Sequence, residues 1–177
     1  ASLSAQGIAW NEIGRQAIMA DPAWNGGDYY DGVQPERGLA VARMIGHVTY
    51  LSGQALEEKF HRRLQDPLES GDVRYTITEP EFEVESYLRH QANSFVKRFD
   101  ANTYLYTSRA LTYFDLARQY GGGSLVRAFE TVSARTLLIA FSSDWLYPPS
   151  ASQELAEALR ALHKDVELHV IEAPYGH

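Results

Sequence analysis

Two side chains in this sequence have the types and the placement of an acid–base pair. Asp144 lies in Phe141-Ser-Ser-Asp-Trp-Leu-Tyr-Pro-Pro149, just past the apolar run Thr136-Leu-Leu-Ile-Ala-Phe141. His177 lies just past the alternating stretch Val166-Glu-Leu-His-Val-Ile171. If both stretches are strands of one parallel sheet, both residues reach the same sheet edge, where strand C-termini gather loop side chains around a ligand. A carboxylate beside an imidazole at that edge fixes the ring tautomer and stabilises the imidazolium of a general base. A plainer reading stands beside it, with Asp144 shaping a turn and His177 a terminus set by cloning.

The 177 residues offer no nucleophile in a fitting context. No Gly-x-Ser-x-Gly is present, and Gly122-Gly-Ser-Leu-Val126 follows a helical pattern rather than a buried strand. No glycine cluster sits between a strand and a helix, so a phosphate-binding loop and a dinucleotide fingerprint are missing too. Arg43, His47 and Tyr50 fall at i, i+4 and i+7 on one helical line. Arg43 with a phenol beside it could clamp a carboxylate, or the line could be a surface stripe or an inter-helix contact. His47, His61 and His90 lack metal-site spacing, and no metal is expected. The eleven tyrosines read mainly as packing residues.

The elements that must carry these groups divide in two. Residues 4–20 form an irregular helical stripe (Ile8, Ala9, Ile13, Ala17, Ile18) that stops at Asp21-Pro22. A turn-rich loop leads through Pro35 into a helix over 36–51, striped by Val41, Met44, Ile45, Val48 and Leu51. A charged helix over 54–64 follows, then a connector over 65–77, broken by Pro67 and Gly71 and expected to be mobile. Thr78-Glu-Pro-Glu81 has the form of a capping box, and the stripe Val84, Tyr87, Leu88, Phe95 and Phe99 behind it predicts a helix. A further helix runs from Asn102 to about Tyr120 and ends at Gly121-Gly-Gly123. The first 120 residues are thus four or five helices without a strand. A short helix over 124–131 then precedes the run 136–141, which predicts a strand buried on both faces. Ser150-Ala-Ser-Gln153 reads as a second capping box, opening a helix to Leu162 between two parallel strands joined by a right-handed crossover.

With 16 Lys and Arg against 23 Asp and Glu, the net charge of −7 disfavours nucleic acid and anionic lipid. No run approaches a membrane span, and the absence of cysteine suits a reducing compartment, pointing to the cytoplasm. The lack of an initiator Met, and a sheet of only two strands, point to a piece of a longer protein.

The residues resemble a known family throughout. Glu12-Ile-Gly-Arg-Gln-Ala17, Gly26-Gly-Asp-Tyr29, Gly38-Leu-Ala-Val-Ala-Arg-Met-Ile-Gly-His-Val-Thr-Tyr50, Val84-Glu-Ser-Tyr-Leu-Arg89, Arg98-Phe-Asp-Ala-Asn-Thr-Tyr104, Ser143-Asp-Trp-Leu-Tyr-Pro148 and Gly176-His177 resemble consecutive blocks of the homoserine O-acyltransferases. The resemblance implies a partial α/β-hydrolase fold, with a helical lid over 1–120 followed by the last parallel strands of the core sheet over 121–177. It implies that Asp144 and His177 belong to a Ser-His-Asp triad whose serine lies upstream, and that Arg43, with Tyr50 on the same helix face, binds the amino-acid substrate.

The activity so implied is ping-pong transfer of an acyl group from acyl-CoA to the hydroxyl of L-homoserine, in methionine biosynthesis, under a lid that excludes water. No cofactor is implied beyond acetyl-CoA as co-substrate, and the family pairs as homodimers through the lid helices. Members preferring succinyl donors often resemble Asp-Trp-Arg, so Trp145 and Leu146 in Asp144-Trp-Leu point to acetyl. The alternatives are a homoserine O-succinyltransferase, a serine O-acyltransferase or esterase on the same scaffold, or an inactive module that serves only as lid and dimer contact.

Overall fold

A computed structural model describes residues 2–66 and 71–177. Eight α-helices and two strands occur among them: α1 (Ala5–Met19), α2 (Glu36–Tyr50), α3 (Gly53–Phe60), α4 (Glu83–Val96), α5 (Ala101–Tyr113), α6 (Leu116–Gly121), α7 (Leu125–Ala128), β1 (Thr136–Phe141), α8 (Pro149–Ala161) and β2 (Val166–Ile171). They fall into two compact units, whose boundaries cut α1, α2 and α5. One unit comprises residues 1–11, 49–52 and 106–177; the other comprises 12–48 and 53–105.

The first unit holds the sheet. β1 and β2 pair in parallel, from Thr136 opposite Val166 to Phe141 opposite Ile171. The β1-α8-β2 order is the βαβ arrangement that the alternating and apolar runs predict. Within these residues β1 is covered on one face. Ala140 is buried, while Leu137, Ile139 and Phe141 on the other face are 58%, 53% and 39% exposed, because α8 covers one face only. Ser150 does not cap α8. That helix begins at Pro149, whose ring presets φ and whose missing N–H needs no partner in the first turn, with Pro148 as the N-cap residue. The helix expected from Asn102 to Tyr120 is two helices. It breaks after Tyr113, where Asp115 accepts from the Arg118 N–H at 3.1 Å and opens α6. α6 stops at Gly122, in the left-handed region at φ 56°. Among the described residues this break brings the α-helices that begin before residue 121 to six.

The second unit is helical, around Ile18, Tyr29, Leu39, Ala42, Phe95, Val96 and Ala101. Gly38 sets its geometry. A Cβ there would lie 2.4 Å from the Ala17 carbonyl oxygen and 2.6 Å from the Ile18 Cα, so only glycine lets the two backbones approach this closely. This contact turns Leu39 and Ala42 inward and leaves Val41, expected in the apolar stripe, 46% exposed. In α1 the same packing buries Ile18 and Arg15, while Ile13 is 49% exposed. The turn Pro22–Gly27 is held by Asp21, which accepts from Ala23 N–H at 3.0 Å and, through its other oxygen, from Gly38 N–H at 2.9 Å.

α3 ends at Phe60, not Leu64, because His61 takes φ 48°. Thr78 does not cap α4, which starts at Glu83, beyond Pro80. Glu85 in its first turn reaches back to the residues before the helix: its carboxylate accepts from the N–H groups of Phe82 at 2.9 Å and Glu81 at 2.8 Å and is held below the usual range by those two bonds. Of the connector predicted over 65–77, Pro67 lies outside the described residues. Further on, Glu81 gathers the Arg74 and Thr76 N–H groups at 2.5 and 2.9 Å.

Candidate active site

In the first unit the ladder between β1 and β2 ends with the Ser142 N–H donating to the Ile171 carbonyl at 2.9 Å. Beyond it the two chain segments carry Asp144 and His177. Their side chains meet, with Nδ1 of His177 2.8 Å from Oδ2 of Asp144. Asp144 is buried, at 6% exposure, and its other oxygen accepts from the N–H groups of Leu146 at 3.0 Å and Tyr147 at 2.8 Å. Those two bonds use one carboxylate oxygen to close the turn, leaving Oδ2 for the imidazole. An ionised carboxylate only accepts, so Nδ1 carries the proton and donates, and Nε2 is the nitrogen able to take a proton from a reacting group. Within these residues the His177 side chain is 44% exposed. Asp144 therefore does shape a turn, and it binds His177 as well, so the two readings of its role describe the two oxygens of one side chain.

The five residues between β2 and His177 have no ladder, yet Ala173, Pro174, Tyr175 and Gly176 are each held by hydrogen bonds. Ser143 Oγ donates to the Ala173 carbonyl at 2.5 Å and accepts the Gly176 N–H at 2.9 Å. Ser142 Oγ accepts the Ala173 N–H at 3.2 Å. From the end of α2, the Ser52 hydroxyl donates to the Pro174 carbonyl, and the Tyr50 carbonyl accepts the His177 N–H at 2.7 Å. Gly176 takes φ 87°, and a Cβ on it would lie 2.5 Å from both the Ser52 nitrogen and the Tyr50 oxygen. A side chain is excluded there both by backbone conformation and by space.

Two phenols flank the imidazole. The Tyr147 ring lies 5.0 Å and the Tyr50 ring 5.7 Å from that of His177, centroid to centroid. Burial, then the nearby Tyr50 and Asp144, push Tyr147 above the ordinary tyrosine range, so it stays protonated. Trp145 donates its indole N–H to the Leu51 carbonyl at 2.9 Å and meets Trp10 edge-on at 6.0 Å, which braces the turn bearing Asp144. The structure thus gathers Asp144, Trp145, Leu146, Tyr50 and His177 in one unit. Sequence reasoning missed Ser143 and Tyr147 as site residues, although both flank Asp144 in a quoted block. The available signal was a hydroxyl and a phenol beside a strand-end carboxylate.

Arg43 belongs to the second unit. Its guanidinium sits 4.8 Å above the Phe95 ring, which orients the planar fork. His47 goes to an inter-helix contact, with Nδ1 3.1 Å from the Tyr87 hydroxyl. Burial, with Arg43 and Lys59 nearby, holds its pKa below the ordinary histidine value. Among the described residues no group of three or more His, Asp or Glu side chains is placed to hold a metal ion, and no helix is long and apolar enough to cross a membrane.

A parallel βαβ unit that delivers a buried carboxylate to an imidazole from adjacent strand ends fits the closing part of an α/β-hydrolase fold. The fold comparison agrees: a homoserine O-acetyltransferase crystal structure from Bacillus anthracis superimposes with a TM-score of 0.83 at 24% identity, over 99% of this chain and 45% of that one. No family model matches the chain. A homoserine O-acetyltransferase of Solidesulfovibrio magneticus is 53% identical over 174 residues, covering 98% of this chain and 43% of the relative. A homoserine O-succinyltransferase of Bordetella petrii is 52% identical over 176 residues, covering 99% and 41%. The chain belongs to the homoserine O-acyltransferase family, and spans less than half the length of these relatives.

Proposed function

We propose that the protein carrying this chain transfers an acetyl group from acetyl-CoA to the side-chain hydroxyl of L-homoserine, the step that family membership connects with methionine biosynthesis. The observation that carries the reading is the 2.8 Å bond between buried Asp144 and His177, within a chain 53% identical to a homoserine O-acetyltransferase. His177, with Nδ1 held by Asp144, accepts the proton of a serine hydroxyl supplied from outside these residues. The serine attacks the thioester, CoA leaves as the thiol with the proton returned from His177, and an acetyl-serine ester remains. The homoserine hydroxyl then gives its proton to Nε2 and attacks the ester, and His177 returns that proton to the departing serine oxygen, releasing O-acetylhomoserine and the free serine hydroxyl. Arg43 binds the acceptor carboxylate and Tyr50 borders the imidazole.

Leu146, beside Trp145 where succinyl-preferring members often carry arginine, supports acetyl over succinyl as donor. We place the reaction in the cytoplasm, on the cysteine-free composition, and in a homodimer paired through the helical segment. The deciding experiment measures product formation by the whole protein from acetyl-CoA or succinyl-CoA, with homoserine or serine as acceptor. Acetylhomoserine as main product supports the reading, while acetylserine alone or bare thioester hydrolysis overturns it. Sedimentation at micromolar concentration tests the dimer.

A further inference from the structure

Between Ile171 and His177 the chain leaves the sheet, so the strand alone cannot fix where the imidazole lands. A five-residue free segment samples far more positions than the ~0.5 Å tolerance of a working acid–base pair. The fixing bonds come from two sides. Ser142 and Ser143 act from the β1 end, and Tyr50 and Ser52 from the α2 end. Ser143 uses its one hydroxyl both ways, donating to Ala173 and accepting from buried Gly176, and it is covalently next to Asp144. It ties the residue before the imidazole to the residue before the carboxylate, so the two partners move together.

We propose that Ser143 is a positioning residue for the acid–imidazole pair: its hydroxyl clamps residues 173–176 so that Nδ1 of His177 meets Oδ2 of Asp144. It touches no reacting atom, and this role rests on the acyl-transfer reading only for its kinetic readout. Removing the oxygen leaves the buried Gly176 N–H and the Ala173 carbonyl without this partner, and these groups then drift toward other acceptors and donors. A misplacement near 1 Å costs on the order of 100-fold in rate while leaving acceptor binding intact.

The test makes Ser143→Ala, Ser143→Cys and Ser143→Thr in the whole protein, with acetyl-CoA and L-homoserine as substrates. It reads kcat and KM, and records the downfield proton resonance of the hydrogen-bonded His177 Nδ1–H. Ser143→Ala is expected to lower kcat about 10- to 100-fold with the homoserine KM within about twofold, and to broaden or lose the resonance. Ser143→Cys, nearly matched in volume but a poor hydrogen-bonding partner, behaves the same and decides the matter if the alanine variant does not fold. Ser143→Thr keeps the hydroxyl and retains both readouts. The proposal is overturned if a folded alanine or cysteine variant keeps kcat within twofold, or if the resonance persists while kcat falls. Should the parent show the resonance but no acyl transfer, the functional reading fails, while loss of that resonance in Ser143→Ala still upholds the clamp.

Discussion

The backbone N–H of His177 donates to the carbonyl of Tyr50 at 2.7 Å, so the imidazole hangs from the end of α2 as much as from β2. The last carbonyls of a helix have no partner within it, and this one is satisfied by His177, the residue proposed as the base. Gly176 is what lets the two backbones meet. Gly176→Ala forces a side chain into a left-handed conformation and into contacts of 2.5 Å with backbone atoms that cannot swing away. The strained conformation alone costs about 1–3 kcal/mol. The expected outcome is a lower melting temperature and acyl transfer reduced at least 100-fold, read by thermal denaturation and by turnover of the same preparation.

Asp144→Asn separates the two jobs of the carboxylate. The amide oxygen can still accept from the Leu146 and Tyr147 N–H groups, so the turn survives. The amide nitrogen is a donor facing Nδ1, which then cannot be the protonated nitrogen. Turnover should fall by roughly 10³–10⁴ with little loss of stability. An unchanged rate in this variant would exclude His177 as the base.

Arg43 makes a different prediction. If Arg43 holds the acceptor carboxylate as proposed, its loss weakens binding in ground state and transition state alike, so Arg43→Ala should raise the homoserine KM about 10- to 100-fold with kcat nearly unchanged. Arg43→Lys should not restore it, because an ammonium cannot reproduce a planar fork stacked over Phe95. Steady-state kinetics with homoserine varied at fixed acetyl-CoA distinguishes these outcomes.

The second unit carries a pH dependence of its own. Tyr29 donates to Asp100 at 2.5 Å. Burial, then this bond, pushes the phenol well above its ordinary value. Burial alone would raise Asp100, but the bonds from Tyr29 and the Thr103 N–H outweigh it and hold the carboxyl below its usual range. The raised phenol contributes stability that is fully present below about pH 10 and fades as pH rises beyond it. The lowered carboxyl contributes stability that is present above about pH 4 and fades as pH falls. Tyr29→Phe should cost about 1.5–3 kcal/mol near neutrality, abolish the alkaline limb and shrink the acid one, as followed by melting temperature against pH.

Leu146 tests donor choice. Leu146→Arg should shift the ratio of kcat/KM for succinyl-CoA over acetyl-CoA upward by about twofold to fivefold, the value of one added charge pair in a partly screened site. An unchanged ratio would take donor choice away from this position.

The parallel strands, and the residues that follow them, were legible because β1 and β2 announce themselves by an apolar run and by alternation, and parallel pairing sends both C-termini to one edge. The helix starts at Thr78 and Ser150 were misread because a capping pattern is local, while Pro80 and Pro149 decide where a helix can begin. The buried line of α2 was misread because Gly38, through its close approach to Ala17 and Ile18, sets which way the helix turns. The clamp at Ser143 was invisible for a different reason. Its partners, Ala173 and Gly176, are about thirty residues away, and no pattern in the chain links a hydroxyl to backbone groups that far off.

The tryptophans divide between the two units. Trp10 and Trp145 meet edge-on in the first, whereas Trp24 donates to the Asn102 side chain at 3.2 Å in the second. Intrinsic fluorescence therefore contains two separable optical signals. Among the tryptophans of these residues, Trp24→Phe leaves only those of the unit holding Asp144 and His177, and Trp10→Phe with Trp145→Phe leaves only that of the other. A denaturant titration of the pair would show by light alone whether the acid–imidazole unit melts together with its helical companion or on its own schedule.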